Sequence, residues 1–281
     1  MHLLTNKREY GSYTTALCPF HDDHIPSLSV HPEGWYHCFT CGKAGGMDEL
    51  YRKLLGWNAP VAPMEQTAWT GAKLPSDPYE LEQYINEAHS LLMQYDGTLG
   101  WYLKQRGVHN RIQPQYLGYM NGWYTIPVYD DKKSFLGAVA RACPHVQHET
   151  GKRFDIPRGQ QALVYVPDWS LVQDSDYLVV VYGIIDALAL CELRIPVCTP
   201  TAGKLSMHSG MLEWCRKRII VVPDKGEEDT AYNLIRRLGW RGIALKLAYP
   251  EGAKDPADLL VKGYGEWLRT QIVQTTKGDI K

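Results

Sequence analysis

The feature that most constrains this chain is a cluster of three cysteines and one histidine near its N-terminus: Cys18, His21, Cys38 and Cys41. Each pair is separated by two residues, and 16 residues lie between His21 and Cys38. A segment this short and rich in turns cannot bury enough apolar surface to fold without a cross-link. Two such pairs closed around one ion form a tetrahedral structural Zn²⁺ site. The sequence therefore predicts a small zinc-ribbon-like module, in which three other histidines compete with His21 as the nitrogen ligand: His24, His31 and His37.

Length and charge limit the remaining possibilities. A chain of 281 residues is long enough for roughly two domains and a small third module. With 30 Lys and Arg against 31 Asp and Glu, the whole molecule is not a polycation that binds nucleic acid through its total charge. No apolar run approaches the roughly 20 residues that span a bilayer, and the first ten residues lack a secretory apolar segment. We expect a soluble, cytoplasmic protein whose seven cysteines form no disulfide framework.

The second half of the chain alternates between strand and helix patterns. Apolar strands are predicted at 178–181, 197–199, 219–222 and 244–248, and helices at about 185–193, at 229–238 and after Asp255. This alternation predicts a parallel sheet with crossover helices. Acidic residues at the carboxyl ends of such strands converge in one crevice.

The middle of the chain combines local positive charge with aromatic residues. Residues 100–160 contain nine Lys and Arg and four Asp and Glu. A helix is predicted over 79–95 and a hairpin from strands 123–129 and 135–140. Cations supply contacts to phosphates, and aromatic faces can stack on unpaired bases, although most such aromatics belong to a core. A Pro-rich segment, 58–78, separates this region from the zinc module.

These patterns predict an α/β protein, α+β overall, with five segments. Residues 1–57 form the zinc-binding domain and 58–78 the linker. Residues 79–170 form a mixed α+β basic lobe, and 171–265 form the parallel-sheet lobe. Residues 266–281 are expected to be a C-terminal tail.

The N-terminal segment resembles a known family. The string CPFHDDHIPSLSVHPEGWYHCFTCGKAGGMDEL, residues 18–50, closely resembles the CHC2-type zinc-binding domain of DnaG-type bacterial and phage primases. The resemblance covers the ligand order, the PSL that follows the first pair and the HCF-x-C-G around the second. It implies that the module helps to select the start site on a DNA template.

The second half resembles the Toprim domain of the same primases, through the strings VVVYGIIDALAL, IIVVPDKGEE and KDPADLL. The resemblance implies a catalytic site for Mg²⁺ or Mn²⁺, with Asp224, Asp186, Asp255 and Asp258 as ligands. Two positions depart from the family: Tyr182 replaces the glutamate of the first motif, and Gly226 replaces the second aspartate of Asp-x-Asp. A phenol is neutral at pH 7 and does not substitute for a carboxylate ligand. Either Glu227 or Glu228 supplies a carboxylate to the metal site in place of the missing ones, or both residues only begin the following helix.

The basic lobe resembles the primase N-terminal subdomain more weakly, through YLKQRGV, IPVYD, GAVAR and GKRFDIPRG. That resemblance implies that four basic side chains hold the template or product strand: Arg106, Arg141, Lys152 and Arg153.

Together these features predict a DnaG-like DNA primase that joins NTPs into RNA primers on single-stranded DNA, with Asp224, Asp186 and Glu227 as its catalytic residues. The short C-terminal segment fits a reduced primase of a phage, plasmid or other mobile element. Such a primase uses a replicative helicase in trans. The alternative is a catalytically inactive zinc and Toprim protein that binds DNA as a replication accessory. A nuclease or ligase-like use of the same crevice is a third possibility, since one fold hosts several reactions.

Overall fold

The zinc module is a small antiparallel sheet closed by one helix. In the computed structural model, residues 4–10, 13–31, 35–54, 74–94, 100–111 and 114–278 are described. The strands are β1 (Arg8–Tyr10), β2 (Tyr13–Ala16), β3 (Leu28–Val30), β4 (Trp35–Cys38) and β5 (Ala44–Gly46), paired in that order. Helix α1 (Met47–Leu54) follows. Leu28, Tyr36 and Leu50 are completely buried, so the core between sheet and helix is small.

The basic lobe is an antiparallel sheet covered by a long helix. Helix α2 (Pro78–Gln94) buries the stripe formed by Leu81, Ile85, Ala88 and Leu92. Helix α3 (Trp101–Gln105) precedes the sheet, which consists of β6 (Gly118–Met120), β7 (Trp123–Tyr129), β8 (Phe135–Ala142) and β9 (Phe154–Asp155). Helix α4 (Pro144–Thr150) connects the last two strands. The predicted helix and hairpin are confirmed.

The parallel-sheet lobe has five strands in the order β10-β12-β11-β13-β14. These are β10 (Val164–Tyr165), β11 (Tyr177–Val180), β12 (Val197–Pro200), β13 (Arg218–Val221) and β14 (Gly242–Ala244). Strands β12, β11, β13 and β14 are parallel neighbours, which confirms the predicted parallel sheet. The sequence pattern missed β10, a two-residue edge strand antiparallel to β12.

Helices cover both faces of this sheet. They are α5 (Trp169–Gln173), α6 (Ile184–Glu192), α7 (Glu228–Leu238), α8 (Pro256–Val261) and α9 (Gly265–Gly278), with short 3₁₀ turns at Lys204–Ser206, Ser209–Leu212 and Gly239–Arg241. The core strands of this sheet are apolar because both faces are covered. No helix in the described part of the chain is long and apolar enough to cross a membrane.

Two predicted boundaries in the parallel-sheet lobe, and one in the linker, need correction. The last strand lies at Gly242–Ala244 rather than 244–248, because only these three residues pair with β13. The expected tail is helix α9, whose Leu268 and Ile272 are completely buried in the core of the parallel-sheet lobe.

The C-terminal end of the predicted linker belongs to the basic lobe. Leu74 is buried in that lobe's core, and its backbone N–H donates to the Asp155 carboxylate. Helix α2 begins at Pro78, so the linker ends earlier than predicted. The rest of the linker, 58–73, lies outside the described residues.

Candidate functional site

The zinc module brings the four predicted ligands together. Cys18 follows β2, Cys38 ends β4, and Cys41 lies in the turn before β5. The ligand atoms of Cys18, His21, Cys38 and Cys41 all lie within 4.8 Å of one another. The Sγ atoms of Cys18 and Cys41 are 3.9 Å apart, and the Cys38 Sγ is 3.9 Å from the His21 Nδ1. Four N and S donors at this spacing fit a closed tetrahedral Zn²⁺ site, which supports the predicted zinc.

The three competing histidines are used elsewhere. The side chain of His24 is 84% exposed, beside Asp22. His31 stacks on Trp35 with ring centroids 3.6 Å apart, and His37 packs edge-on against Phe39. Of the four histidines, His21 is the one whose ring nitrogen lies among the three cysteine sulfurs.

Asp23 supports the site, and the sequence analysis did not identify it. Its carboxylate accepts hydrogen bonds from the backbone N–H of Cys18 at 2.8 Å and from the Ser27 hydroxyl at 2.6 Å. It also lies 3.7 Å from the His21 Nε2. Carboxylates in this position orient a metal-binding histidine. Its only sequence signal is an acidic residue two positions after His21.

The Cys38 thiol is prepared for ionisation. Burial by itself raises its pKa, but the backbone N–H of Cys41 and the Ser27 hydroxyl stabilise the thiolate and lower the pKa to about 7. Burial raises the pKa of the Cys18 thiol to about 12. Since Zn²⁺ binds the thiolate, the two cysteines differ in how readily they become ligands.

A second site lies at the carboxyl ends of the parallel strands, facing the basic lobe. A cavity of about 310 Å³ is lined by Asp186 from α6, Asp224 after β13, Glu227 before α7, Asp255 before α8, and Tyr182 after β11. We call it the carboxylate cavity. Arg106, Arg141 and Arg153 of the basic lobe form its opposite wall, and they also line a neighbouring cavity of about 760 Å³.

Asp186 and Asp224 are the carboxylates of this cavity with no cationic partner in the described part of the chain. Asp186 is 6% exposed and accepts a hydrogen bond from the backbone N–H of Ala257 at 3.0 Å. Burial, and then the charges of Asp255 and Asp224, raise its pKa well above the ordinary value. Burial, and then the charges of Asp255 and Glu227, raise the pKa of Asp224 to about 6. The Asp224 Oδ1 is buried without a hydrogen-bond partner among the described residues.

The other predicted acidic ligands already have partners. Arg106 donates to both oxygens of Asp255, at 2.9 and 2.8 Å, and also to Asp258. Asp255 additionally caps helix α8 through the backbone N–H of Asp258. The structure thus pairs Arg106 with two carboxylates rather than leaving it open to a nucleic-acid strand.

The two glutamates that follow Asp224 differ. Glu227 lines the cavity and accepts from Lys204 Nζ at 2.5 Å. Glu228 is exposed and accepts from the backbone N–H of Gly226 at 3.2 Å. Glu227 is therefore the candidate near Asp224, whereas Glu228 belongs to the start of α7.

The two departures from the family motif change the chemistry of the cavity. The Tyr182 side chain is 8% exposed, and its hydroxyl has no hydrogen-bond partner among the described residues. Burial, and then Glu227 and Asp224, raise the pKa of this hydroxyl, so it stays neutral. Gly226 has φ +82° in the turn after Asp224 and carries no ligand atom.

The ion pairs of Asp255 and Glu227 limit the number of carboxylates in the cavity that are left for divalent ions. In the described ranges, the zinc cluster is the only group of three or more His, Cys, Asp or Glu residues arranged so that they could hold a metal ion. Mg²⁺ commonly uses one or two protein carboxylates, with waters and phosphates completing its shell. Asp224 and Asp186 are the carboxylates of the cavity that remain for such an ion. Because Asp255 and Glu227 are ion-paired, the described residues leave no further unpaired carboxylate in the lining for a second one.

The predicted basic residues divide into buried and exposed ones. Arg141 is 6% exposed and donates to the Ala142 carbonyl at 2.7 Å and to Gln147 Oε1 at 3.1 Å. Burial lowers its pKa. Its guanidinium lies 5.2 Å from the Phe154 ring centre, and that of Arg153 lies 5.4 Å from the same ring. Arg153 and Lys152 are exposed, and Arg153 lines the cavity.

Comparisons with known proteins agree with this geometry. Residues 3–59 match the family model described as CHC2 zinc finger. A DNA primase of Legionella pneumophila is 30% identical over an alignment of 134 positions, which covers 42% of this chain and 23% of that protein. The zinc-binding and RNA polymerase domains of the Aquifex aeolicus primase superpose with a TM-score of 0.56 at 19% identity, covering 96% of this chain and 80% of that one. This chain has the fold of the DnaG-type primases.

A further structure, a DnaG primase catalytic domain bound to single-stranded DNA, has a TM-score of 0.54 at 16% identity, covering 69% of this chain and 76% of that one. The expected resemblance to DnaG-type primases and the expected fold class are confirmed. The matched segment spans about a quarter of the length of the Legionella primase.

Proposed function

We propose that this chain is a DNA primase that joins NTPs into short RNA primers on single-stranded DNA. The observation that carries the proposal is the carboxylate cavity, which lies between the parallel sheet and a basic wall in a chain that also carries a CHC2-type zinc module. The primase relatives and the DnaG domain bound to single-stranded DNA support the same activity and template.

The basic lobe holds the strands in this proposal. Arg153, which lines the cavity, and its exposed neighbour in sequence Lys152 supply the salt-dependent contacts to phosphates. Arg141 is buried behind Phe154 and fixes that ring, against which Arg153 rests. Arg106 fixes the position of Asp255 and of helix α8 at the cavity floor.

Asp224 and Asp186 would hold one Mg²⁺ or Mn²⁺ at the strand ends. When bound, such an ion supplies positive charge to the reacting phosphate oxygens. The oxygen of the primer 3′-hydroxyl forms a bond to the α-phosphorus, and the bond from that phosphorus to the β-phosphate bridging oxygen breaks. Pyrophosphate leaves with the electron pair, and the hydroxyl proton passes to water. Tyr182, buried and neutral, lines the cavity without adding a negative charge.

Primer synthesis on single-stranded templates, with NTPs and either Mg²⁺ or Mn²⁺, tests this proposal. Asp224→Asn keeps the shape of the side chain but removes its charge, and we expect a loss of at least about 100-fold in primer synthesis. Asp229→Asn is the matched control, because Asp229 is exposed on α7 outside the cavity. Equal primer synthesis by Asp224→Asn and the unmodified chain would contradict the assignment.

A second function, a catalytically inactive accessory protein that binds DNA, is favoured by one observation. Tyr182 and Gly226 supply no carboxylate, and two of the remaining acids are ion-paired with Lys204 and Arg106. Intact binding of single-stranded DNA, with no primer formed in either metal ion, would select this function.

A further inference from the structure

A lysine, rather than a second acidic ligand, occupies one side of the carboxylate cavity. Lys204 begins the 3₁₀ turn Lys204–Ser206, which follows the carboxyl end of β12. Gly203, with φ +82°, provides the left-handed backbone that leads into this turn. Strand β12 neighbours β11, which in turn neighbours β13, so Lys204 approaches Asp224 from an adjacent loop on the same edge of the sheet.

The lysine contacts one acid of the cavity, Glu227, directly. Its Nζ lies 2.5 Å from the Glu227 Oε1, and its side chain is 39% exposed. Its positive charge also opposes the increase in the pKa of Asp224. Lys204 therefore faces the space in which a reacting phosphate would lie, and it remains accessible from solvent.

The ion pairs of the cavity leave two of its carboxylates for a divalent ion. Arg106 pairs with Asp255 and Asp258, and Lys204 pairs with Glu227, so Asp186 and Asp224 are the lining carboxylates without an ion pair among the described residues. One divalent cation balances two carboxylates. Tyr182 stands where a further carboxylate would be needed for a second ion, and its hydroxyl is neutral.

We infer that Lys204 supplies, from the protein itself, the positive charge that a second divalent ion would supply to the triphosphate. A lysine ammonium is a compact point charge that suits phosphate oxygens, and its flexible stem can exchange Glu227 for a phosphate. The inference rests on the proposed nucleotide chemistry of this cavity. It names Lys204 as a residue that binds the β- and γ-phosphates of the incoming nucleotide.

Nucleotide binding gives the first test. Binding of α,β-methylene-ATP and of AMP to the zinc-loaded chain is measured by calorimetry at fixed Mn²⁺. Lys204→Met should lower the affinity for the triphosphate about tenfold, as expected for the loss of one charge-assisted contact. The affinity for AMP, which lacks the β- and γ-phosphates, should change less than about twofold. Lys204→Arg should recover most of the loss. Lys246→Met, which removes an exposed charge outside the cavity lining, is the control.

The count of bound Mn²⁺ gives the second test. The unmodified chain should bind one Mn²⁺ that Asp224→Asn abolishes, as measured by the electron paramagnetic resonance of free Mn²⁺. The double variant Tyr182→Glu with Lys204→Met should bind two, whereas Tyr182→Phe with Lys204→Met should keep one.

The outcomes separate this inference from the proposed function. Two ions in the unmodified chain, or a triphosphate affinity that is indifferent to Lys204→Met, overturns the role of Lys204 and leaves the primase proposal standing. Failure of the unmodified chain to bind any nucleotide overturns both. If the double variant does not fold, as judged by circular dichroism, the nucleotide measurement decides.

Discussion

The zinc module and the carboxylate cavity each bring several candidate metal ligands together, but they differ in what lies beside those ligands. In the zinc module, four ligand atoms lie within 4.8 Å of one another, and neighbouring N–H and O–H groups favour the thiolate of Cys38. In the cavity, Asp255 and Glu227 are instead ion-paired with Arg106 and Lys204. The first site therefore places its ligands for a metal ion, whereas the second pairs two of its acids with cations of the protein.

Loss of a zinc ligand should have the largest effect. Cys41→Ser removes one of the four ligands, and we expect the module to lose Zn²⁺ and unfold, because structural Zn²⁺ supplies on the order of 10 kcal/mol to modules of this kind. Zinc release with a chromogenic chelator and circular dichroism measure this. His24→Ala, at an exposed histidine, should retain the metal.

The two lobes should respond differently to that change. We expect the parallel-sheet lobe to stay folded, since its own cores do not include the zinc module. The one contact of the basic lobe with the module's core is Trp101 of α3, among the described residues. A single cooperative unfolding transition for the whole chain would contradict this independence.

Loss of a protein cation should have the next largest effect. Arg106→Met leaves Asp255 and Asp258 without their partner in a mostly buried position, and we expect a decrease of about 3 kcal/mol in the free energy of unfolding. Urea denaturation followed by tryptophan fluorescence measures it. Arg269→Met, which breaks the exposed pair with Glu266, should cost less than about 0.5 kcal/mol. Equal effects in the two variants would show that the cavity does not depend on Arg106.

Loss of the exposed cations should have the smallest effect. Lys152→Ala with Arg153→Ala should leave folding unchanged and reduce the slope of log affinity for single-stranded DNA against log salt by about 1.4, or 0.7 for each lost phosphate contact. Fluorescence anisotropy of a labelled oligonucleotide at several salt concentrations provides the slope. Lys262→Ala with Lys246→Ala, at exposed positions outside the cavity, is the control. An unchanged slope would remove Lys152 and Arg153 from the interface.

The sequence predicted those parts of the molecule that depend on local pattern. The zinc ligands follow from the spacing of Cys18, His21, Cys38 and Cys41, because two residues between ligands suit one ion whatever the surrounding fold. The parallel strands follow from apolar runs such as 219–222, which only a sheet covered on both faces buries. The helix α9 was missed because its pattern is weakly amphipathic, although Leu268 and Ile272 complete the core.

The sequence predicted which acids line the candidate site, but not which residues each acid pairs with. Asp186, Asp224, Glu227 and Asp255 line one cavity, as expected from strand ends that meet at one edge. Their partners were not predictable, because Arg106 meets Asp255 across 149 positions of sequence and Asp186 meets the Ala257 N–H across 71. Such pairings depend on how whole lobes pack.

By itself, the sequence determined which chemical groups this protein has: a set of soft zinc ligands, a row of acids at strand ends, a tyrosine and a glycine where the family has carboxylates, and a basic middle segment. Only the tertiary structure decided which of those charges face each other. Local spacing fixes a metal site whose ligands are close in sequence. The net charge of a cavity is the sum over residues that folding brings together from distant elements, and here that sum includes Arg106 and Lys204.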